Sequence, residues 1–282
     1  MSAHEAIRRL TGSEPLAVHP AGGTAAQVFR ASLADGREVV AKSAAEGSST
    51  AEAAGLRWLR EAGAVPVPEV HGADETWLVL AHVQETGPTP EAAERFGREL
   101  AALHASGAPA FGSPPPGGPV DAWIGAAPMA NREHGGWPEF FVTERIEPYL
   151  RAARLPDPGP VHAVCERITE LAGPAEPPAR LHGDLWSGNV LWGRTGVHVI
   201  DPAAHGGHRE SDLAMLALFG CPHLDRVLAA YHETAPLADG WRERVALHQL
   251  FPLLVHAVLF GGHYGERTVA AARAAQGRPP AG

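Results

Sequence analysis

Residues 181–189 read Leu181-His182-Gly183-Asp184-Leu185-Trp186-Ser187-Gly188-Asn189, and twelve residues past Asn189 the chain reaches Asp201 within Val199-Ile200-Asp201-Pro202. An HxD triplet, an asparagine five residues after its aspartate, and a later hydrophobic-Asp pair suit phosphoryl transfer to a hydroxyl. Such transfer asks a protein for positioning, for metal ions that bridge phosphate oxygens, and for a carboxylate that orients the attacking hydroxyl. Mg²⁺ takes oxygen ligands, commonly one or two carboxylates with phosphates and waters. Asn189 and Asp201 are the expected metal ligands, and Asp184 is the expected base on the acceptor side. A lone HxD carries little weight, because Asp and Asn are common in loops for their local backbone hydrogen bonds. The complete spacing carries more, since Asn189 is one of two asparagines in the chain, with Asn131.

Towards the N-terminus the pattern changes to strands. Leu16 to His19, Gln27 to Leu33 and Glu38 to Lys42 are apolar runs, with Asp35-Gly36 as a hairpin signal between the last two. A helix is expected over Ala51 to Ala62, capped by Ser48, Ser49 or Thr50 and ended by Gly63. Val70 to His71 and Thr76 to Val83 are two further strands. Lys42 is the only lysine beside 22 arginines. In a chain rich in Ala, Arg, Gly and Pro, a retained lysine marks a site shaped for a compact ammonium, which a guanidinium fork does not replace. At the end of the third strand it is placed to reach the α- and β-phosphates of ATP. It then needs a carboxylate from the following helix. Glu46 precedes that helix and Glu61 ends it, whereas Glu52 shares the face of Leu56 and Leu59, so Glu52 is the expected partner. Ala21 to Ala26 stands where a phosphate-covering loop would lie, without a GxGxxG pattern; it reads equally as an ordinary glycine turn or as a loop whose backbone N–H groups at Gly23, Thr24 and Ala25 meet phosphate, and Leu80 to Val83 is the expected adenine hinge.

Beyond residue 85 the chain reads as mostly helical, starting with Thr89-Pro90-Glu91 and running to about His104. Ala108 to Pro119 is a Pro/Gly-rich loop, and further helices are expected over Trp137–Arg154, Val161–Ala172, Glu210–Phe219, Leu224–Glu233, Trp241–Tyr264 and Arg267–Gln276. The expected architecture is α+β and two-lobed. Residues 1–84 form a small ATP-binding lobe of antiparallel sheet plus helix, and residues 85–282 form a larger, mainly helical catalytic and substrate-binding lobe. Asp212 reads as a structural carboxylate behind the 181–189 loop, and His104, His248, His256 and His263 as packing or surface residues. Trp186 is a candidate to stack on a sugar face.

Composition narrows the function classes. A net charge of −9 argues against nucleic acid or an anionic membrane as partner. Cys165 and Cys221 form no metal or disulfide pattern. Met1 to Leu10 lacks an apolar signal core, and Leu250 to Phe260 is too short to span a bilayer. A cytoplasmic monomer is the expectation.

The string Leu181 to Val190 with Ile200 to Phe219 resembles the fructosamine kinase, or ketosamine-3-kinase, family. Trp123 to Gly125, Trp137 to Arg145 and Gly240 to Tyr264 are further echoes, so the resemblance spans nearly the whole chain. It implies a protein-kinase-like fold and Mg-ATP-dependent phosphorylation of a fructosamine or ribulosamine at the sugar 3-hydroxyl, followed by breakdown of the adduct. Carried over by position, Asp184 is the base, Asn189 and Asp201 the metal ligands, Lys42 and Glu52 the ATP-positioning pair, and Trp186 a substrate-site residue. Aminoglycoside and choline phosphotransferases share the HGD…N…D framework without the LWSGN wording and are the alternative. A nucleotide-binding regulator without catalysis is a third reading, disfavoured by the intact Lys42, Asp184, Asn189 and Asp201. His205 and His208 depart from the family's usual residues.

Overall fold

The computed structural model describes residues 1–22, 26–44 and 47–277. The chain opens with α1 (Ala3–Thr11), a helix that the sequence reading did not anticipate. Its start is a capping box, in which the Ser2 hydroxyl accepts from the Glu5 amide and the Glu5 carboxylate accepts from the Ser2 amide. Strands β1 (Pro15–Gly22), β2 (Gln27–Leu33) and β3 (Glu38–Ser43) follow, then α2 (Ser48–Glu61), β4 (Val70–Ala73) and β5 (Trp77–Ala81). The five strands make one antiparallel sheet in the order β1-β2-β3-β5-β4.

Strand alternation decides what each face of this sheet does. Val39 and Ala41 of β3, with Trp77 and Val79 of β5, bury against Ala6 and Ile7 of α1. Lys42 points to the opposite face with its cross-strand partner Leu78, which packs with Leu56 and Leu59 of α2. The lysine is therefore carried to the α2 side by register alone.

The remainder is mainly helical. It comprises α3 (Pro90–Ala105), the hairpin β6 (Asp121–Ile124) and β7 (Ala127–Ala130), α4 (Trp137–Phe140), α5 (Glu147–Ala152), α6 (Gly159–Glu166) and α7 (Ile168–Leu171). Then come β8 (Ala179–Leu181), the hairpin β9 (Val190–Gly193) and β10 (Gly196–Val199), β11 (His205–Gly207), α8 (Glu210–Phe219), α9 (Leu224–Thr234), α10 (Trp241–His248), α11 (Leu250–Phe260) and α12 (Tyr264–Ala275). Three helices expected as continuous are interrupted. A π-helical turn, Phe141–Ile146, separates α4 from α5. Arg167 separates α6 from α7. The Trp241–Tyr264 run breaks at Gln249 and again at Gly261 and Gly262, both at positive φ. The β6–β7 hairpin and the β8–β11 pair were also unexpected, because strands of three or four residues leave little periodicity to read.

The largest core cluster crosses the expected boundary near residue 85. It joins Leu56 and Leu59 of α2 and Leu78 and Leu80 of β5 to Phe96 and Leu100 of α3, Val190 and Trp192 of β9 and Tyr231 of α9. Backbone bonds stitch the same seam, from the Thr86 amide to the Trp192 carbonyl at 2.8 Å and from the Val199 amide to the Pro66 carbonyl at 3.1 Å. No described helix is long and apolar enough to cross a membrane.

Helices α3 and α9 meet at Gly97, where a Cβ would lie 2.3 Å from the Val227 carbonyl oxygen. Backbone there cannot give way as a flexible side chain would. Gly97→Ala is therefore expected to cost about 3 kcal/mol by overpacking, despite alanine's better helix propensity. Urea unfolding monitored by circular dichroism checks this, and an unchanged or raised midpoint would show that the interface relaxes freely.

Candidate active site

Lys42, Glu52 and Asp201 come from β3, α2 and the segment after β10, and they converge on one ammonium. The Lys42 Nζ donates to Glu52 Oε1 at 2.8 Å, to Glu52 Oε2 at 2.9 Å and to Asp201 Oδ1 at 2.7 Å. Burial opposes the charge on Lys42, but the two carboxylates outweigh it and hold the ammonium above its ordinary range. Glu52 is raised to about 7, first by burial and then by the charge of Asp201, against the pull of Lys42. Glu61 makes no such contact, and Glu46 lies outside the described residues. Asp201 sits at φ 54°, a left-handed conformation uncommon for a side-chain-bearing residue, of the kind that collects at functional sites.

Between the end of β8 and a 3-10 turn at Ser187–Asn189, the backbone is irregular, and its first two amides are satisfied from behind. Asp212, in the first turn of α8, accepts from the His182 amide through Oδ2 at 2.8 Å and from the Gly183 amide through Oδ1 at 2.9 Å. The His104 Nε2 from α3 lies 3.2 Å from Asp212 Oδ2, and its Nδ1 lies 2.8 Å from the Tyr231 hydroxyl. Burial works to raise the Asp212 carboxyl, yet the His104 hydrogen bond and the charges and amides around it hold it below its usual value. His182 accepts the Asp184 amide at Nδ1 (3.3 Å), so its Nε2 is the donor to the Ile200 carbonyl at 2.8 Å, and burial keeps the ring neutral. That bond ties the loop to the residue before Asp201. Gly183 has φ 81°, and a Cβ there would lie 2.1 Å from the Ala203 carbonyl oxygen, so only glycine fits.

Asp184 follows directly. Its backbone carbonyl accepts from Asn189 Nδ2 at 2.8 Å and its Oδ2 accepts from the same nitrogen at 3.2 Å. Its carboxyl is pushed up to about 7, by burial first and then by the neighbouring charge of Asp201, with the Asn189 bond working the other way. With its nitrogen committed, Asn189 has its amide oxygen to offer a cation, and Asp201 has the oxygen that Lys42 does not hold. Two carboxylates, Glu52 and Asp201, meet one ammonium, and Asp184 lies close enough to Asp201 to feel its charge, an excess of negative charge and hard oxygen that fits a divalent cation such as Mg²⁺. A second cluster, His208, Glu210 and His248, has its potential ligand atoms within 4.8 Å of one another but does not fit a metal. Arg244 forks onto both Glu210 oxygens at 2.9 and 2.6 Å, and the Glu210 amide occupies His208 Nδ1 at 3.2 Å, leaving the proton on Nε2.

Leu185 is fully buried, while Trp186 beside Asp184 is 39% exposed and folds over Gly188, where a Cβ would lie 2.2 Å from the indole. The indole meets Phe219 edge-on at 6.2 Å, and a row of rings continues through His256, 4.7 Å from Phe219, to Tyr264, 4.9 Å further. Arg267 sits 5.9 Å over Phe219. Trp186 is legible in the sequence, whereas Phe219, Tyr264 and Arg267 are not and His256 reads as a packing or surface residue, since no spacing links 186, 219, 256 and 264. Val83 lies just past β5, against Gly193. Gly23, Thr24 and Ala25 lie outside the described residues.

This arrangement defines a kinase of the two-lobed, protein-kinase-like phosphotransferase class. The sequence profile of the fructosamine kinase family matches residues 18–274, and the chain belongs to that family. A Thermus thermophilus protein named a probable ketoamine kinase is 39% identical over 249 residues, covering 86% of this chain and 87% of its own length. A Thermobifida fusca crystal structure carrying a provisional fructosamine-3-kinase name superposes with a TM-score of 0.92 at 50% identity, over 98% of each chain. An aminoglycoside phosphotransferase crystallised with ADP and hygromycin B shares the fold at 16% identity, with a TM-score of 0.65 over 97% of this chain and 99% of its own.

The raised carboxyl of Asp184 has a stability consequence. Its folded pKa lies above the unfolded value of 3.8, so the fold prefers it protonated. Its favourable contribution is complete below the unfolded pKa and is lost as pH rises to about 7. Part of the carboxyl remains solvated, so Asp184→Asn is expected to stabilise the protein at pH 8 by about 1–2 kcal/mol. Thermal unfolding at pH 8 and pH 4 checks the sign, and a lower midpoint for the variant at pH 8 would contradict the burial argument.

Proposed function

We propose that the protein transfers the γ-phosphate of ATP to the 3-hydroxyl of a ketosamine, a fructosamine or ribulosamine. The observation that supports this reading is that Asp184, whose carboxyl feels the charge of the Lys42-bound Asp201, stands two residues before the exposed Trp186. Lys42, held by Glu52, binds the α- and β-phosphates. Backbone just past β5, at Val83, meets the adenine, so the nucleotide lies where the sheet-bearing lobe, residues 1–84, meets the helical lobe, residues 85–282. Asn189 and Asp201 hold Mg²⁺, which supplies charge neutralisation on the phosphate oxygens when bound.

On the acceptor side the ketosamine stacks its sugar on Trp186 and presents its 3-hydroxyl to Asp184. The ionised Asp184 carboxylate accepts the hydroxyl proton as the oxygen bonds to phosphorus and ADP leaves. Asn189 holds that carboxylate in place through Nδ2. The phosphorylated adduct then breaks down and frees the amine, so the protein is a deglycating kinase acting as a cytoplasmic monomer on free or protein-bound adducts.

The test is an acceptor panel with ADP detection, comparing ribulosamines, fructosamines, aminoglycosides and choline under Mg-ATP. Turnover is expected with a ketosamine and lost about 10²–10⁴-fold in Asp184→Asn. Turnover with only an aminoglycoside or choline would replace the substrate assignment, and an undiminished Asp184→Asn rate would remove Asp184 from the chemistry. The pH dependence has a defined sign. Asp184 must be ionised to accept a proton and its carboxyl titrates near 7, so kcat/KM for Mg-ATP is expected to fall as pH drops below about 7 and to level above it. A flat profile from pH 5.5 to 8 would contradict this.

A further inference from the structure

Helix α2 carries Glu52, and it is fastened to the helical part of the chain at two places that the proposed chemistry does not use. The first is one turn beyond Glu52. Gly55 lies against the residues that follow Asp201, where a Cβ would sit 3.2 Å from Pro202 Cγ and 3.2 Å from Ala204 Cβ. The α2 backbone thus rests on the chain immediately after Asp201. Ala54, beside it, packs in the same way on Gly118, whose own Cβ would lie 3.1 Å from Ala54 Cβ.

The second place is the start of the helix. Gly47 occupies the N-cap position in a left-handed conformation, φ 80°, with no side chain to cap the amides. The Trp123 ring of β6 covers it, with Cη2 3.0 Å from where a Cβ would be. Trp123 and Ala51 of α2 both pack on the core cluster that holds α11, so the ring ties the helix start to the helical part.

These two contacts set a distance that matters. Lys42 bridges Glu52 and Asp201 with three contacts between 2.7 and 2.9 Å, and hydrogen bonds of that length weaken with displacements of a few tenths of an ångström. A methyl at Gly55 demands a displacement of that size between α2 and Pro202. We infer that Gly55 and Trp123 are positioning residues of the nucleotide site, clamping α2 so that the Glu52–Lys42–Asp201 spacing is set before nucleotide arrives. The inference rests on the reading of that trio as the phosphate-binding group.

The experiment is calorimetric titration of the full chain with Mg-ADP, alongside thermal unfolding and KM and kcat for Mg-ATP. The variants are Gly55→Ala, Trp123→Ala, Trp123→Phe and, as a stability control, Leu33→Ala on the α1 face of the sheet. Gly55→Ala is expected to raise the Mg-ADP Kd about tenfold and Trp123→Ala about threefold, the scale of one weakened charge-assisted hydrogen bond. Trp123→Phe keeps a ring over Gly47 and should recover most of the loss. KM for Mg-ATP should rise more than kcat falls. Leu33→Ala should lower the unfolding midpoint with Kd unchanged.

Folded Gly55→Ala and Trp123→Ala proteins with wild-type Kd would overturn the inference, as would an equal Kd change in Leu33→Ala. If Gly55→Ala fails to fold, the Trp123 pair decides. Wild-type protein that binds Mg-ADP but phosphorylates no ketosamine removes the substrate assignment and leaves the clamp intact. Wild-type protein that does not bind Mg-ADP removes both.

Discussion

One buried ammonium holds the site together. Lys42 is almost withdrawn from water, a condition that an isolated charge does not tolerate. It is stable there only because a carboxylate from α2 and another from the end of the β9–β10 hairpin meet it at hydrogen-bond distance. The desolvation cost of such a group is met only when every partner stays in place. Strand, helix and hairpin are therefore bound to one arrangement, and the core cluster shared by α2, β5, α3 and β9 keeps them in it. The trio still carries more negative than positive charge, which is the electrostatic condition for receiving a cation and its phosphate ligands.

Behind that group stands a second constraint. The loop that presents Asp184 has no regular hydrogen-bonding ladder of its own, and two of its amides, those of His182 and Gly183, are satisfied by one buried carboxylate, Asp212, whose orientation is fixed in turn by His104 and Tyr231. The position of Asp184 is thereby referred to α3, α8 and α9. His182 extends the reference to the backbone beside Asp201. Asp184 and Asp201 thus share one frame although they stand seventeen positions apart in the chain.

The sequence was most legible where chemistry leaves a fixed spacing. The interval from His182 through Asn189 to Asp201 indicated the site, and the solitary lysine indicated its partner lobe. The choice of Glu52 over Glu46 and Glu61 followed from helical periodicity with Leu56 and Leu59. Local pattern also found the five sheet strands and α2. It missed α1, whose signal is a two-residue capping box and a short apolar face. It missed the breaks at Gln249, Arg167 and the π-turn, although Pro252 and Pro148, which cannot donate to a helical ladder, stand just beyond two of them. The ring row from Trp186 through Phe219 and His256 to Tyr264 was illegible for another reason, as it is assembled by tertiary structure from α8, α11 and α12.

The arginine-for-lysine composition acquires a meaning beyond the site. The unprotonated amine of a lysine attacks the carbonyl of a reducing sugar and, with loss of water, forms a Schiff base. The single lysine here is screened from solvent and kept protonated by two carboxylates. Guanidinium groups supply the rest of the positive surface and resist that first condensation. This chain therefore exposes almost no lysine side chain to such a condensation.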